Sequence, residues 1–114
     1  MKPEDRDKAY LWDMLAAATE AQAMCRGLDA AAVAADRRTL LALERLMELV
    51  GEAARRVSPE VQRMHPGIPW RSIIGLRNVL AHEYGRVDHR LLFKAASVDA
   101  AELCVVLKRV LDRP

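Results

Sequence analysis

The sequence RRTLLALERLMELVGEAARRV, residues 37–57, decides the fold that the rest of the chain has to complete. Its apolar residues recur at steps of three and four, which is the spacing of one face of an α-helix. The members of this stripe are Leu40, Leu43, Met47, Val50, Ala54 and Val57. Such a heptad-like seam packs against other helices at a shallow angle. The stretch therefore predicts a long helix inside a helical bundle.

One glycine, Gly51, interrupts this helix. In a helix interior glycine costs about 1 kcal/mol relative to alanine, so its presence needs a reason. One explanation is that another helix, from the same chain or from a partner, approaches closely at this point. The other is that the glycine is merely tolerated. The sequence alone leaves both explanations open.

Start and stop signals on both sides of residues 37–57 predict further helices. Pro3 and the acids after it begin a first helix, which Gly27 ends. Side chains that suit a helix N-cap follow at Asp29, Asp36, Ser58 and Ser97. The last of them is predicted to cap a final helix from Val98 to about Asp112. These signals favour an all-α fold, an antiparallel bundle of four to five helices.

Length and composition agree with that architecture. A chain of 114 residues corresponds to one domain, residues 1–114. Hydrophobic residues make up 52% of it, which suits a globular protein. Alanine and leucine dominate and phenylalanine occurs once, a composition that favours helices over strands.

The N-terminal residues, the apolar runs and the two cysteines together predict a cytoplasmic protein. The first eight residues are highly charged and no apolar region follows them, so a signal peptide is not expected. No apolar run approaches the length that spans a bilayer, so no membrane association is expected. Cys25 and Cys104 are far apart and lack metal-type spacing. Both are expected to be reduced, partly buried thiols.

Positive charge gathers in the middle of the chain. Residues 55–94 contain eight Lys and Arg against three Asp and Glu, whereas residues 1–54 carry a net charge of −3. A basic zone suits a polyanionic substrate. The alternative is an ordinary mixed surface, which this charge difference does not exclude.

The basic zone contains the motif GLRNVLAHEY, residues 75–84. On a helix, Asn78 and His82 lie on one face, and Arg77 and Tyr84 are nearly eclipsed. Arginine offers a phosphate a rigid fork of donors, and an imidazole can take or give a proton near neutral pH. This set suits phosphodiester chemistry. The alternative is that the Arg and His are only capping groups or part of a solvated face.

The pattern R-N-x-x-A-H-x-Y resembles the signature of HEPN-domain ribonucleases. It is most similar to the HEPN toxin of HEPN/MNT toxin–antitoxin systems, in which MNT stands for minimal nucleotidyltransferase. That motif is Arg, four residues, His, one residue, Tyr, and Arg77, His82 and Tyr84 match it. The stretches 13–15, 51–53 and 66–71 are also similar to the family. The resemblance covers essentially the whole chain and implies a HEPN-like helical domain.

The resemblance implies a metal-independent endoribonuclease that needs no cofactor. In this reaction His82 would act as general base, or as the acid for the leaving oxygen. Arg77 would hold the scissile phosphate and stabilise its developing charge. Asn78 could orient the His82 ring or bind a phosphate oxygen. Arg71 and Arg86 are further candidates for RNA binding.

Partners follow from the same reasoning. One histidine cannot be base and acid at once, so a homodimer that brings two motifs together is expected, as in related HEPN ribonucleases. The seam of residues 40–57, or the helices beside it, could supply the interface. The resemblance also implies an MNT-type antitoxin that transfers AMP from ATP to Tyr84. The alternative function is a catalytically silent HEPN module that binds a nucleotidyltransferase or another protein.

Overall fold

A computed structural model describes residues 3–82 and 87–112, and every regular element in these ranges is a helix. The helices are α1 (Pro3–Met24), α2 (Ala30–Ala35), α3 (Arg37–Arg56), α4 (Pro59–Met64), α5 (Trp70–His82), α6 (His89–Lys94) and α7 (Ala100–Leu111). A π-helical segment, Ala95–Asp99, joins α6 to α7 in one continuous helical segment. The predicted all-α class is therefore confirmed. No helix in the described ranges has both the length and the apolar character needed to cross a bilayer.

The long helix α3 lies at the centre of the bundle. It packs against α1 and against α5, and α7 packs against α1. Most of the predicted seam is fully buried, namely Leu43, Met47, Val50, Ala54 and Val57. These side chains fill the protein's own core, together with the apolar faces of α1 and α7. These side chains are therefore covered within one chain, and the other alternative, that the helices beside the seam supply a dimer interface, stays a prediction.

Helix caps confirm most of the predicted boundaries. The Asp36 carboxylate accepts hydrogen bonds from the backbone N–H groups of Arg38 and Thr39, at 3.1 and 3.4 Å. Asp29 caps α2 and Ser58 caps α4 in the same way. Side-chain oxygens thus satisfy backbone donors that have no partner within the helix.

The predicted cap at Ser97 is wrong. Its hydroxyl donates a hydrogen bond of 2.6 Å to the backbone carbonyl of Phe93, four residues earlier. A serine inside a helix can bond back to the preceding turn in this way, which makes it compatible with a helix interior. The helical segment begins earlier, at α6, where the Asp88 carboxylate accepts from the backbone N–H of Arg90 at 2.8 Å.

A hydrogen-bonded corner connects the end of α3 to the start of α5. The buried Asp7 carboxylate on α1 accepts from both the backbone N–H and the hydroxyl of Ser58, each at 2.8 Å. The Gln62 amide donates to backbone carbonyls at the end of α3. The Trp70 indole N–H donates to the carbonyl of His65 at 3.0 Å, at the first turn of α5. These bonds fix the position at which α5 begins to pack on α3.

The interruption of α3 at Gly51 marks its closest approach to α5. A Cβ atom added at Gly51 would overlap the Cβ of Arg77 and lie 2.9 Å from the backbone oxygen of Ile73. The first of the two explanations for this glycine is therefore confirmed. The approaching helix is α5 of the same chain.

Replacing Gly51 by alanine should destabilise the protein. Overpacking at a tight contact costs about 1–3 kcal/mol, which exceeds the gain in helix propensity of about 1 kcal/mol. Denaturant unfolding would measure the change. The control is Gly75→Ala on α5, where an added Cβ meets nothing within 4 Å and stability should not fall. If both variants unfold at the same denaturant concentration, the contact at Gly51 is not a tight one.

Candidate functional site

The side chain of Arg77 is held between two helices. Its Nη2 atom lies 2.8 Å from Oε2 of Glu52 on α3, and its Nη1 donates to the Asn78 side-chain oxygen at 3.1 Å. The Arg77 side chain is 18% exposed and that of Glu52 25% exposed, which makes theirs the least exposed ion pair in the described ranges. Arg77 is therefore oriented by a carboxylate and an amide that each bind one of its two terminal nitrogens.

Glu52 pairs with two further arginines from its own helix. Its Oε1 atom lies 2.8 Å from Nη2 of Arg55 and 3.1 Å from Nη2 of Arg56. The hydrogen bond from Arg55 and the charges of Arg55, Arg77 and Arg56 hold the pKa of Glu52 below its ordinary value, although burial opposes this. The carboxylate is thus ionised near neutral pH. Three guanidinium groups thus share one carboxylate, and Asp13 and Glu20 of α1 line the same cavity as Glu52 and Arg56.

One donor of Arg77 is left unused. Its Nε atom is buried and has no hydrogen-bond partner in the part of the chain that the structure describes. A buried donor of a charged group without a partner is costly, and native proteins contain few of them. The Cβ of Arg77 lies against Gly51, and its Nη2 atom pairs with Glu52. Packing and ion pairing thus both constrain the direction of the Arg77 side chain.

The other predicted residues on α5 differ in their surroundings. Asn78 is exposed and contacts Arg77 through its side-chain oxygen. His82 is exposed in the last turn of α5, and Arg71 is exposed in the first turn. The structure therefore brings Arg77 and Asn78 into contact and places His82 on the same helix with its imidazole open to solvent.

Two predicted residues lie outside the described ranges. These are Tyr84, the predicted modification site, and Arg86, a candidate for RNA binding. The helix end predicted at Gly85 lies outside them as well. The predictions for these positions remain predictions from the sequence.

Glu52 belongs to the site although its role was not predicted from the sequence. Periodicity connects residues within one helix and gives no information about which residue of α5 faces residue 52. Two signals were nevertheless present next to it. Gly51 indicated a close helix approach, and residues 51–53 were among the stretches similar to the family. Together they could have pointed to Glu52 as the partner of an approaching cation.

The arrangement suits the binding of an oxyanion and the transfer of a proton. The arginine cluster offers charge-assisted donors, which bind phosphate and carboxylate groups strongly. The imidazole of His82, five residues after Arg77 on the same helix, is exposed to solvent. Among residues 3–82 and 87–112, no group of three or more His, Cys, Asp or Glu side chains is placed to hold a metal ion.

Comparisons with known proteins agree with this chemistry. The profile of a family described as "Ribonuclease HepT-like" matches residues 14–110. A Methanocaldococcus jannaschii protein named as a candidate RNase is 30% identical over 96 residues, which cover 84% of this chain and 88% of that protein. A Thermococcus cleftensis protein named as a probable ribonuclease HepT is 38% identical over 68 residues, 60% of this chain and 62% of that protein. No solved structure matches the chain significantly.

Replacing Glu52 by glutamine should lower stability in a pH-dependent manner. Because folding lowers the pKa of Glu52, its ionised form stabilises the fold above the unfolded pKa, and this stabilisation is lost as pH falls through the lower folded pKa. The stability difference between wild type and Glu52→Gln should therefore be constant from pH 7 to about pH 5 and shrink below that. Urea unfolding at several pH values would measure it.

The matched control for this experiment is Glu48→Gln. In the part of the chain that the structure describes, Glu48 pairs only with Arg45, whose side chain is 64% exposed, one turn before Glu52 on the same helix. A surface pair of this kind contributes about 0–1 kcal/mol, so this variant should change stability little. The prediction would be contradicted if the free energies of unfolding of wild type and Glu52→Gln differed by the same amount at pH 7 and at pH 3.

Proposed function

The chain belongs to the HepT-like ribonuclease family, and from this premise we propose that it is a metal-independent endoribonuclease. The observation that carries the proposal is the orientation of Arg77 by Glu52 and Asn78, on the helix that also presents His82 to solvent. It combines a fixed cation for a phosphate with a group that can transfer a proton. We further propose that the protein is the toxin of a HEPN/MNT toxin–antitoxin pair and acts in the cytoplasm.

The reaction needs little more than these groups because RNA carries its own nucleophile. A base removes the proton of the 2′-hydroxyl, and the 2′-oxygen attacks the neighbouring phosphorus. The bond from phosphorus to the 5′-oxygen breaks, and that oxygen receives a proton from an acid. The products are a 2′,3′-cyclic phosphate and a free 5′-hydroxyl. His82 supplies the base or the acid in this scheme.

Arg77 stabilises the charge that develops on the phosphate. A donor that is already oriented needs no reorganisation during the reaction, and this makes it effective. The pair with Glu52 and the hydrogen bond to Asn78 provide such an orientation before substrate binds. Asn78 thus acts through Arg77 as well as through any direct contact with a phosphate oxygen. Arg71, exposed on the same helix, and Arg86 are candidates for contacts with the rest of the strand.

A homodimer would supply the second proton-transfer group. One His82 serves as base and the His82 of a second copy as acid, in a cleft shared by the two chains. Since the core uses the seam of α3, the interface has to come from other apolar side chains. Trp12 on α1 and Leu49 on α3 are 51% and 37% exposed. Leu49 lies one turn before Glu52, so an interface there would be close to the arginine cluster.

The proposed control by an antitoxin acts on Tyr84. The MNT-type nucleotidyltransferase joins the AMP of ATP to the tyrosine oxygen and releases pyrophosphate. Each AMP adds a negative phosphodiester and a bulky nucleoside two residues beyond His82. The added phosphate would compete with RNA for the nearby arginines. Inhibition would then be steric and electrostatic, and the fold would remain intact.

The nuclease proposal predicts that purified protein cleaves single-stranded RNA in the presence of EDTA. His82→Ala should lower the cleavage rate by about 10²–10⁴-fold, since it removes the proton-transfer group. His89→Ala is the control, because His89 is an exposed histidine on α6 that the mechanism does not use. Circular dichroism would verify that each variant is folded. RNA left equally intact by wild type and His82→Ala would favour the catalytically silent module instead.

The antitoxin proposal predicts modification at one of the two tyrosines in the chain. After incubation with the nucleotidyltransferase, ATP and Mg²⁺, intact-mass measurement should show one or more AMP groups on wild type. Tyr84→Phe should gain none and should keep its nuclease activity under these conditions. The control variant, Tyr10→Phe, should be modified and inactivated like wild type. AMP found on Tyr10, or on no residue, would reject the assignment.

A further inference from the structure

Three arginines share one carboxylate at the junction of α3 and α5. Arg55 and Arg56 lie in the last turn of α3, and Arg77 approaches from α5. The side chains of Arg55 and Arg56 are 50% and 55% exposed, whereas Arg77 is mostly buried. Each of the two exposed arginines has only its Nη2 atom paired with Glu52. Because about half of each side chain is exposed, their other donors are open to a further group.

Two ordinary roles explain these arginines less well. Basic residues at the C-terminal end of a helix commonly interact with its terminal carbonyls. Here the Gln62 amide donates to the carbonyls of Ala54 and Val57. Arg55 and Arg56 instead turn back toward Glu52, one turn earlier in the helix.

The second ordinary role is a simple surface ion pair, as formed by Arg45 and Glu48 on the same helix. That pair is neutral, and its partners are one cation and one anion. The cluster at Glu52 is different because one carboxylate pairs with three guanidinium groups, and the carboxylates of Asp13 and Glu20 on α1 line the same cavity as Glu52 and Arg56. Since arginine does not lose its charge, the donors of Arg55 and Arg56 that Glu52 does not use can bind an anion.

We propose that Arg55 and Arg56 bind the RNA phosphate next to the one held by Arg77. The strand then runs from α5 across the end of α3, with Glu52 fixing the directions of all three guanidinium groups. This inference rests on the proposed ribonuclease function and adds a substrate-binding subsite to it. Flexible single-stranded RNA fits the subsite, since its phosphates can follow two surfaces from different helices.

Binding of a labelled oligouridylate tests the subsite directly. The protein carries His82→Ala so that the RNA remains uncut, and Arg55→Ala/Arg56→Ala is added to it. Loss of a charge-assisted contact should weaken binding about tenfold. The slope of log K against log salt concentration should decrease by about 0.7 for the lost phosphate. The control is Arg37→Ala/Arg45→Ala, which removes the same charge from the same helix and should change neither quantity.

Kinetics separate substrate binding from an indirect effect on Arg77. In protein with His82 intact, the Arg55→Ala/Arg56→Ala variant should raise KM about tenfold and leave kcat within about twofold. If these arginines acted only by orienting Glu52 and Arg77, their replacement would lower kcat and leave KM unchanged. That result would overturn the proposal. Arg55→Lys/Arg56→Lys keeps the charges and should restore the salt slope.

The outcomes also distinguish this inference from the function on which it rests. Equal affinity and equal salt slope in the Arg55/Arg56 variant and the Arg37/Arg45 control would overturn the subsite and leave the nuclease proposal intact. A different result would be that wild type binds RNA in a salt-dependent manner but does not cleave it, and that the Arg55/Arg56 variant loses this binding. This would support the subsite and reject the nuclease proposal. Absence of RNA binding by the His82→Ala protein would overturn the subsite as well.

Discussion

The close contact of α3 and α5 at Gly51 is the constraint on which the candidate site depends. Because residue 51 has no side chain, the backbone of α5 can approach until Arg77 lies directly on α3. Its guanidinium group then reaches Glu52, the next residue along α3. A wider spacing of the two helices would leave Arg77 as a flexible surface side chain. The absence of a side chain at Gly51 thus allows the close helix contact that holds the Arg77 guanidinium group in one position.

The partial burial of the Arg77–Glu52 pair strengthens the attraction between the two charges and also removes part of their hydration. Exposed ion pairs are screened by water and add little stability. In a less polar environment the attraction is stronger, but each charge loses hydration and must be compensated. Glu52 receives compensation from three arginines, whereas one buried nitrogen of Arg77 has no partner among the residues that the structure describes. The site therefore combines a well-held carboxylate with an arginine whose orientation is constrained by the ion pair.

Local features of the fold could be predicted from the sequence, and contacts between distant residues could not. The caps at Asp29, Asp36 and Ser58 were predictable because a cap depends on a few neighbouring residues. Ser97 was misjudged since the same hydroxyl can cap a helix or bond back within one, and only packing decides between these.

The site itself was predictable in part. The motif placed Arg77, Asn78 and His82 on one helix, which the structure also shows. The pairing of Arg77 with Glu52 depends on how α3 and α5 align, and no pattern within either helix encodes that alignment. For the same reason, sequence analysis could not tell that the seam of α3 faces the chain's own core rather than a second copy.

The packing of α7 against α1 has a consequence for synthesis on the ribosome. All residues of the site on α3 and α5 have been made before α7 emerges. Until then, the face of α1 that α7 covers has no partner within the nascent chain. Since helices with an uncovered apolar face are weakly stable, the bundle gains its full stability only after α7 has been made. A ribosome that stalls before α7 would therefore hold a chain with every predicted site residue and an incomplete core.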